Sequence, residues 1–206
     1  MRVVAGAARG RRLIAPAGDR TRPTSDRVRE AVFNSLESLG ELRGAVVLDL
    51  FAGSGALGIE ALSRGAASVT FVDDDRRAVD AVHANLAATG LADPPSGAEV
   101  RVVKGDAVDR LGALGDGVGL VLADPPYAFE GWDALQRVLA RACPGALLVA
   151  ESDRPVPAGP GGELVRERRY GGTVVTFIRL TATDGAASDG DGPSPLPTPP
   201  IPEDPE

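Results

Sequence analysis

Residues 46–62 read VVLDLFAGSGALGIEAL, and this stretch decides the fold. Its first five residues are aliphatic around a single acid, the pattern of a strand buried on both faces. Gly53, Gly55 and Gly58 then satisfy the spacing G-x-G-x-x-G, and a helical run follows at once. A strand feeding a helix through such a loop opens an α/β layered domain. The glycines let a ligand approach the backbone, and the helix start offers unpaired N–H groups. Asp73, at the end of the next expected strand, can accept hydrogen bonds from two ribose hydroxyls.

That combination serves dinucleotides and S-adenosylmethionine alike. Asp49, four residues before the first glycine, separates them. A carboxylate there repels a pyrophosphate and favours the ammonium and sulfonium of S-adenosylmethionine. Asp106, in VVKGDA beyond the third strand, can accept from an adenine amino group or cap the helix starting at Ala107, and the two roles are compatible.

Outward from the loop, short aliphatic runs alternate with amphipathic ones, as in a parallel sheet flanked by helices. Strands are expected at residues 46–50, 69–73, 99–104, 120–123 and 146–151. A helix is expected over about 76–88, where Val79, Val82 and Leu86 share a face. ELVRERRY and TVVTFIRL flank Gly171-Gly172 and read as an antiparallel hairpin, which makes the sheet seven-stranded, mostly parallel, with one reversed strand. Upstream, RVVAG and RRLIAP look like a short hairpin. A helix capped by Thr24 or Ser25 follows, with Val28, Val32, Leu36 and Leu39 on one stripe.

At the end of the fourth strand stands Asp124-Pro125-Pro126-Tyr127. Two prolines end the ladder and fix the backbone. The rigidity suits transfer to an exocyclic nucleobase amine, whose lone pair is delocalised into the ring. If Asp124 and a proline carbonyl each accept one amino hydrogen, the nitrogen turns tetrahedral and its lone pair is freed for in-line attack on a sulfonium methyl. Tyr127 then stacks on a base drawn out of its helix or loop. His83 reads as a boundary residue, Cys143 as packing, and Trp132 as an anchor for the helix after the tetrapeptide.

The 206 residues carry 22 Lys+Arg, 29 Asp+Glu, one His and one Cys, with aromatics at only 4%. A core of Val, Leu and Ala is expected, disulfides within the chain are excluded, and no metal site is expected. No apolar run approaches the ~20 residues of a bilayer span, and MRVVAGAARGRR lacks a secretory signal, so a cytoplasmic protein without membrane attachment is expected. Charge is unevenly spread. Residues 181–206 carry six acids and no base, are rich in Pro, Gly and Ser, and are expected to be disordered. Residues 1–29 carry eight arginines against Asp19 and Asp26, so an acidic average does not argue against a nucleic-acid partner.

With these residues assembled, the chain resembles the RsmD family of bacterial methyltransferases, which modify N2 of a guanine in 16S ribosomal RNA. LDLFAGSGALGIEAL and DPPY are the generic part of the resemblance. MRVVAGAARGRRL and TRPTSDRVREAVFNSL are the specific part, similar to that family's hairpin and RPT-D-x-x-RE-x-x-FN signature, and the likeness ends near Leu180. It implies a Rossmann-like class I S-adenosylmethionine-dependent fold, with an RNA-binding hairpin and helix in residues 1–40, a methyltransferase domain in 41–180 and an acidic tail in 181–206. It puts Asp49, Phe51, Gly53, Gly55, Asp73 and Asp106 on cofactor positions and Asp124, Pro125, Pro126 and Tyr127 on the catalytic motif. Arg22, Pro23, Thr24, Asp26, Arg29 and Asn34 fall on the signature that closes over cofactor and base, and Arg9, Arg11 and Arg12 on the RNA-facing hairpin. The expected partner is 16S RNA in an assembling small subunit, with ribosomal proteins in the recognised surface, and the enzyme is expected to be a monomer. DNA or RNA adenine-N6 transfer is the rival within this chemistry, although a DNA enzyme usually carries a recognition domain for which this chain leaves no room. A dinucleotide-binding oxidoreductase is the rival outside it.

Overall fold

The computed structural model describes residues 1–16, 26–114 and 116–182. Helix α1 (Asp26–Leu39) is followed by β1 (Val46–Leu50), α2 (Ala56–Ser63), β2 (Ser68–Asp73), α3 (Arg76–Thr89), β3 (Glu99–Lys104), α4 (Ala107–Leu114) and β4 (Leu120–Ala123). Then come α5 (Trp132–Ala142), β5 (Leu147–Ser152), β6 (Gly162–Tyr170) and β7 (Thr173–Leu180). The seven strands form one mixed sheet in the order β3-β2-β1-β4-β5-β7-β6, with β5 antiparallel to β7 and β7 antiparallel to β6. β1 and β4 are parallel neighbours near the centre, with Asp49 opposite Leu122 and Leu50 opposite Ala123. The loops that leave their carboxyl ends are therefore side by side, at the place where open α/β sheets bind ligands.

Each face of the sheet carries its own core. Phe33 and Leu36 of α1, Ile59 of α2, and Val82 and Leu86 of α3 pack with Val47, Val69, Phe71, Leu120, Leu122, Val149 and Phe177. On the other face Leu111 of α4 and Leu135 and Leu139 of α5 pack with Leu48, Leu50, Val72, Val121, Leu148 and Ile178. Alternate residues of β1 thus enter different cores, which is why the strand reads as an apolar run. Asp49, in phase with Val47, points to the α2 side. Among the described residues no helix is long and apolar enough to cross a membrane.

The expected strands and α3 appear within one or two residues of their limits, β5 shifted to 147–152. The N-terminal hairpin is smaller than expected, a single antiparallel bridge between Arg2 and Arg12 with Val3 N–H donating to the Arg11 carbonyl at 3.0 Å. Its middle is diverted onto α2. Val4 and Ala5 N–H donate to Glu60 at 2.7 and 3.0 Å, Ala7 N–H donates to the Ser63 carbonyl at 2.7 Å, and Ala8 N–H to Ser63 Oγ at 2.9 Å. Backbone groups satisfied by α2 cannot also extend a ladder. The proposed caps Thr24 and Ser25 and the tail from 183 lie outside the described residues.

Candidate active site

The loop after β1 is held by carboxylates. Phe51 adopts φ of 58°, a left-handed conformation that disfavours an L side chain by about 1–2 kcal/mol. Gly53 and Gly55 follow at 56° and 75°, and Gly55 N–H donates to the Ala52 carbonyl at 2.7 Å, closing a tight turn. Asp73 Oδ2 accepts from Gly53 N–H at 2.8 Å and Asp49 Oδ2 from Gly58 N–H at 2.9 Å. Gly58 has no room for a side chain, since a Cβ would lie 2.3 Å from the Phe71 ring and 2.9 Å from Asp49 Oδ2. Around a Cβ at Gly53 the nearest atom would be the Phe51 carbonyl oxygen, 3.9 Å away, so backbone is approachable there.

Asp49 is fully buried. Burial pushes its carboxyl well above the usual range, Gly58 N–H opposes the rise, and the charges of Asp124 and Asp73 add to it. Burial also raises Asp73, against the N–H bonds from Gly53 and Asp75. The charges of Asp73 and Asp124, at the carboxyl ends of β2 and β4, thus reach Asp49 on β1 between them. Asp49 is a buried acceptor that fixes the start of α2. Asp106 is exposed and caps α4, its Oδ1 accepting from Val108 N–H at 2.8 Å and Asp109 N–H at 3.2 Å. Gly105 N–H, donating to the Asp73 carbonyl at 3.0 Å, keeps Asp106 beside the same rim.

Next to this loop, Asp124 is half-buried, Pro125 buried, Pro126 exposed and Tyr127 39% exposed. The Pro126 carbonyl accepts from Phe129 N–H at 2.8 Å, which folds the segment into a turn. Phe129 packs edge-on against both Phe51 and Trp132, ring centres 5.2 Å apart in each case. The two loops are joined by this row of rings, and buried Trp132 anchors α5 as expected.

The arginines divide. Arg9, Arg11 and Arg12 are exposed. Arg29 is not available to a substrate, contrary to the expectation from the signature. Its side chain is fully buried, with Nη2 2.8 Å from Asp26, Nε 3.6 Å from Glu60, and Nη2 also donating to the Arg2 carbonyl. Glu60 also takes Arg64 Nε at 2.8 Å, and Arg64 lies over the Phe33 ring. Asn34, by contrast, is exposed. Two turns down α1, its Oδ1 accepts from Arg64 Nη1 at 3.2 Å, within the ion cluster that clamps α1 and the hairpin to α2. Arg22, Pro23 and Thr24 lie outside the described residues. Sequence reasoning missed Glu60, Ser63 and Asn85, although an acid on an otherwise apolar helix and an amide amid the Val79-Val82-Leu86 stripe were visible signals. A cleft of about 590 Å³ at the amino ends of β1, β2 and β3, lined in part by Thr70, Glu99 and Arg101, contains none of the site residues.

Residues 1–179 match the family model described as conserved hypothetical protein 95. A Bacillus subtilis relative, YlbH, named as a candidate rRNA methyltransferase, is 38% identical over 188 residues, which is 87% of this chain and 98% of that protein. The ribosomal RNA small subunit methyltransferase D of Escherichia coli (strain K12) is 41% identical over 127 residues, 62% of this chain and 60% of its own length. Among solved structures, an Escherichia coli protein described as a candidate methyltransferase, yhhF, superposes with a TM-score of 0.72 at 35% identity, over 88% of this chain and 98% of that one.

Proposed function

The chain belongs to the RsmD family, whose model is described as conserved hypothetical protein 95, and has the class I methyltransferase fold on a mixed sheet; from that premise we propose that it transfers a methyl group from S-adenosylmethionine to the exocyclic N2 of a guanine in 16S ribosomal RNA. The observation that carries this reading is the placement of Asp73 and Asp124 on one rim at the carboxyl ends of β2 and β4, with the buried Asp49 on β1 between those strands, bounded by the glycine loop and the proline-stiffened tetrapeptide. Such a rim repels a pyrophosphate and suits a ligand bearing an ammonium and a sulfonium. The residues fit the cofactor. Gly53 leaves its backbone open to close approach, and Asp73 keeps lone pairs for ribose hydroxyls beyond the two N–H groups it accepts. Asp106 would take the adenine amino group, while Asp49, Phe51 and Gly55 fix the floor. When bound, S-adenosylmethionine supplies an electrophilic methyl on its sulfonium.

The chain's own residues act on the amine. Asp124 accepts one amino hydrogen and later takes the proton that the nitrogen sheds. A carboxylate has about four acceptor positions, so contacts within the protein do not exhaust it. The second acceptor is the Pro125 carbonyl, next to Asp124 and ahead of the turn that the Pro126 carbonyl closes with Phe129 N–H. Exposed Tyr127 stacks on the extruded base. Arg9, Arg11 and Arg12 face RNA phosphates, and Arg22, Thr24 and Asn34 of the signature are assigned to the substrate. Residues 1–40 then form the RNA-binding unit of a cytoplasmic monomer, 41–180 the catalytic unit, and 181–206 an acidic Pro-rich tail.

The test is transfer from labelled S-adenosylmethionine to small-subunit particles lacking the modification. Label recovered as N2-methylguanosine supports the reading, with thermal stabilisation by S-adenosylmethionine and none by NAD. Label in N6-methyladenosine, or stabilisation by NAD alone, overturns it.

A further inference from the structure

Asn85 lies in the middle of the apolar face of α3 and is only 1% exposed. Its side-chain Nδ2 donates to the Ser54 carbonyl at 2.8 Å and to the Ile14 carbonyl at 2.9 Å, and Oδ1 accepts from Ile14 N–H at 2.8 Å. One amide therefore reads both backbone groups of Ile14, as a neighbouring strand would, and at the same time holds the central residue of the glycine loop. Val82, one turn earlier on the same face, abuts Gly55, where a Cβ would come within 3.1 Å of it. The loop is thus seated on α3 at two adjacent points, one apolar and one polar. Ile14 stands just before the segment that carries Arg22, Pro23 and Thr24.

Burying an amide is costly unless it is fully bonded, and an aliphatic residue would fill this position more simply. The amide does something an aliphatic residue cannot: it sets the height of the Ser54 carbonyl, and so of the N–H groups flanking it, relative to the incoming N-terminal segment. We propose that Asn85 is a positioning residue for the cofactor, holding the glycine loop and the N-terminal segment in one register, so that its loss weakens S-adenosylmethionine binding selectively. The proposal rests on the cofactor reading above.

The molecule contains its own control. Gln136 of α5, 2% exposed, donates from Nε2 to the Pro157 carbonyl at 3.0 Å and accepts Gly159 N–H on Oε1 at 2.9 Å. It is the same device on the other face of the sheet, applied to a loop that bears no site residue. Asn85→Ala and Gln136→Ala should lower the thermal midpoint by similar amounts. Calorimetry should then show a dissociation constant for S-adenosylmethionine raised on the order of tenfold in Asn85→Ala, the factor of one to two hydrogen bonds, and within twofold of wild type in Gln136→Ala. The KM for cofactor should follow the dissociation constant, with kcat at saturating cofactor changing less. Asn85→Asp, which keeps the shape and the acceptor for Ile14 N–H but loses both donor bonds, should also raise the constant and provides the reading if the Ala variant does not fold. Equal weakening in the Asn85 and Gln136 variants, or unchanged affinity in a folded Asn85 variant, overturns the proposal. Wild-type protein that does not bind S-adenosylmethionine would instead remove the cofactor reading on which it stands.

Discussion

The loops after β1 and β4 leave the ends of paired strands yet are built by opposite means. The first uses three glycines, and its carboxylates are turned inward, Asp49 onto Gly58 N–H and Asp73 onto Gly53 N–H. The second has no glycine in its tetrapeptide, its one glycine, Gly131, standing next to α5; it takes its stiffness from two locked proline φ angles, and keeps a half-buried acid and an exposed ring at the rim. A loop that must let a ligand touch its backbone sheds side chains and is held in shape from behind. One that must present side chains to a reacting group fixes its backbone and keeps them. The difference separates binding from chemistry, and Phe129 against Phe51 fixes the spacing between the two.

Four substitutions can break or sharpen that division. Asp124→Ala should lower the rate of methyl transfer at least about a hundredfold while the S-adenosylmethionine dissociation constant stays within a few fold, because the acid serves the target amine. Single-turnover kinetics beside calorimetry decide it, and a large loss of cofactor affinity would merge the two roles. Gly58→Ala forces a methyl into the buried Phe71 ring and Asp49, and should cost about 1–3 kcal/mol, measured by urea unfolding. Asp73→Ala should raise the cofactor dissociation constant roughly tenfold, equivalent to about 1.4 kcal/mol, with much of the rate recovered at saturating cofactor. Recovery of none would mean that Asp73 acts in the chemical step.

Asp49→Asn should have the smallest effect, and on stability its sign is opposite. Because burial raises the native carboxyl above its unfolded value, the native state binds the proton more tightly, and stability falls as pH rises from the ordinary carboxylate range through the raised one. Asparagine still accepts Gly58 N–H but carries no charge. The variant should melt a few degrees above wild type at pH 8, with the advantage shrinking toward pH 4. A constant difference across that range would contradict the buried-charge account.

Most of the layered fold could be read in the sequence because burial on both faces leaves near-continuous apolar runs at β1, β4, β5 and β7. The juxtaposition of the glycine loop and the tetrapeptide followed from strand order rather than spacing, so it needed the α/β pattern as an intermediate. What escaped were contacts between polar groups distant in sequence. Arg29 lies four residues before Phe33 and seven before Leu36, on the inward stripe of α1, and of the groups that offset its burial only Asp26 is local, whereas the Arg2 carbonyl lies 27 positions before it and Glu60 31 positions on. A count of eight arginines treats Arg29 and Arg12 alike, whereas one is a core residue and the other is exposed. Asn85 was passed over for the same reason, since its partners Ile14 and Ser54 come from two other segments.

The most direct test of the central claim is made in cells. 16S RNA from a strain lacking this protein should be digested and mapped by mass spectrometry, and compared with RNA from the same strain carrying the wild-type chain or Asp124→Ala. The account predicts one guanine that is N2-methylated with the wild-type chain and unmodified both without it and with Asp124→Ala, although that variant still binds S-adenosylmethionine. An unchanged methylation map in the deletion strain, or full restoration by Asp124→Ala, would contradict it.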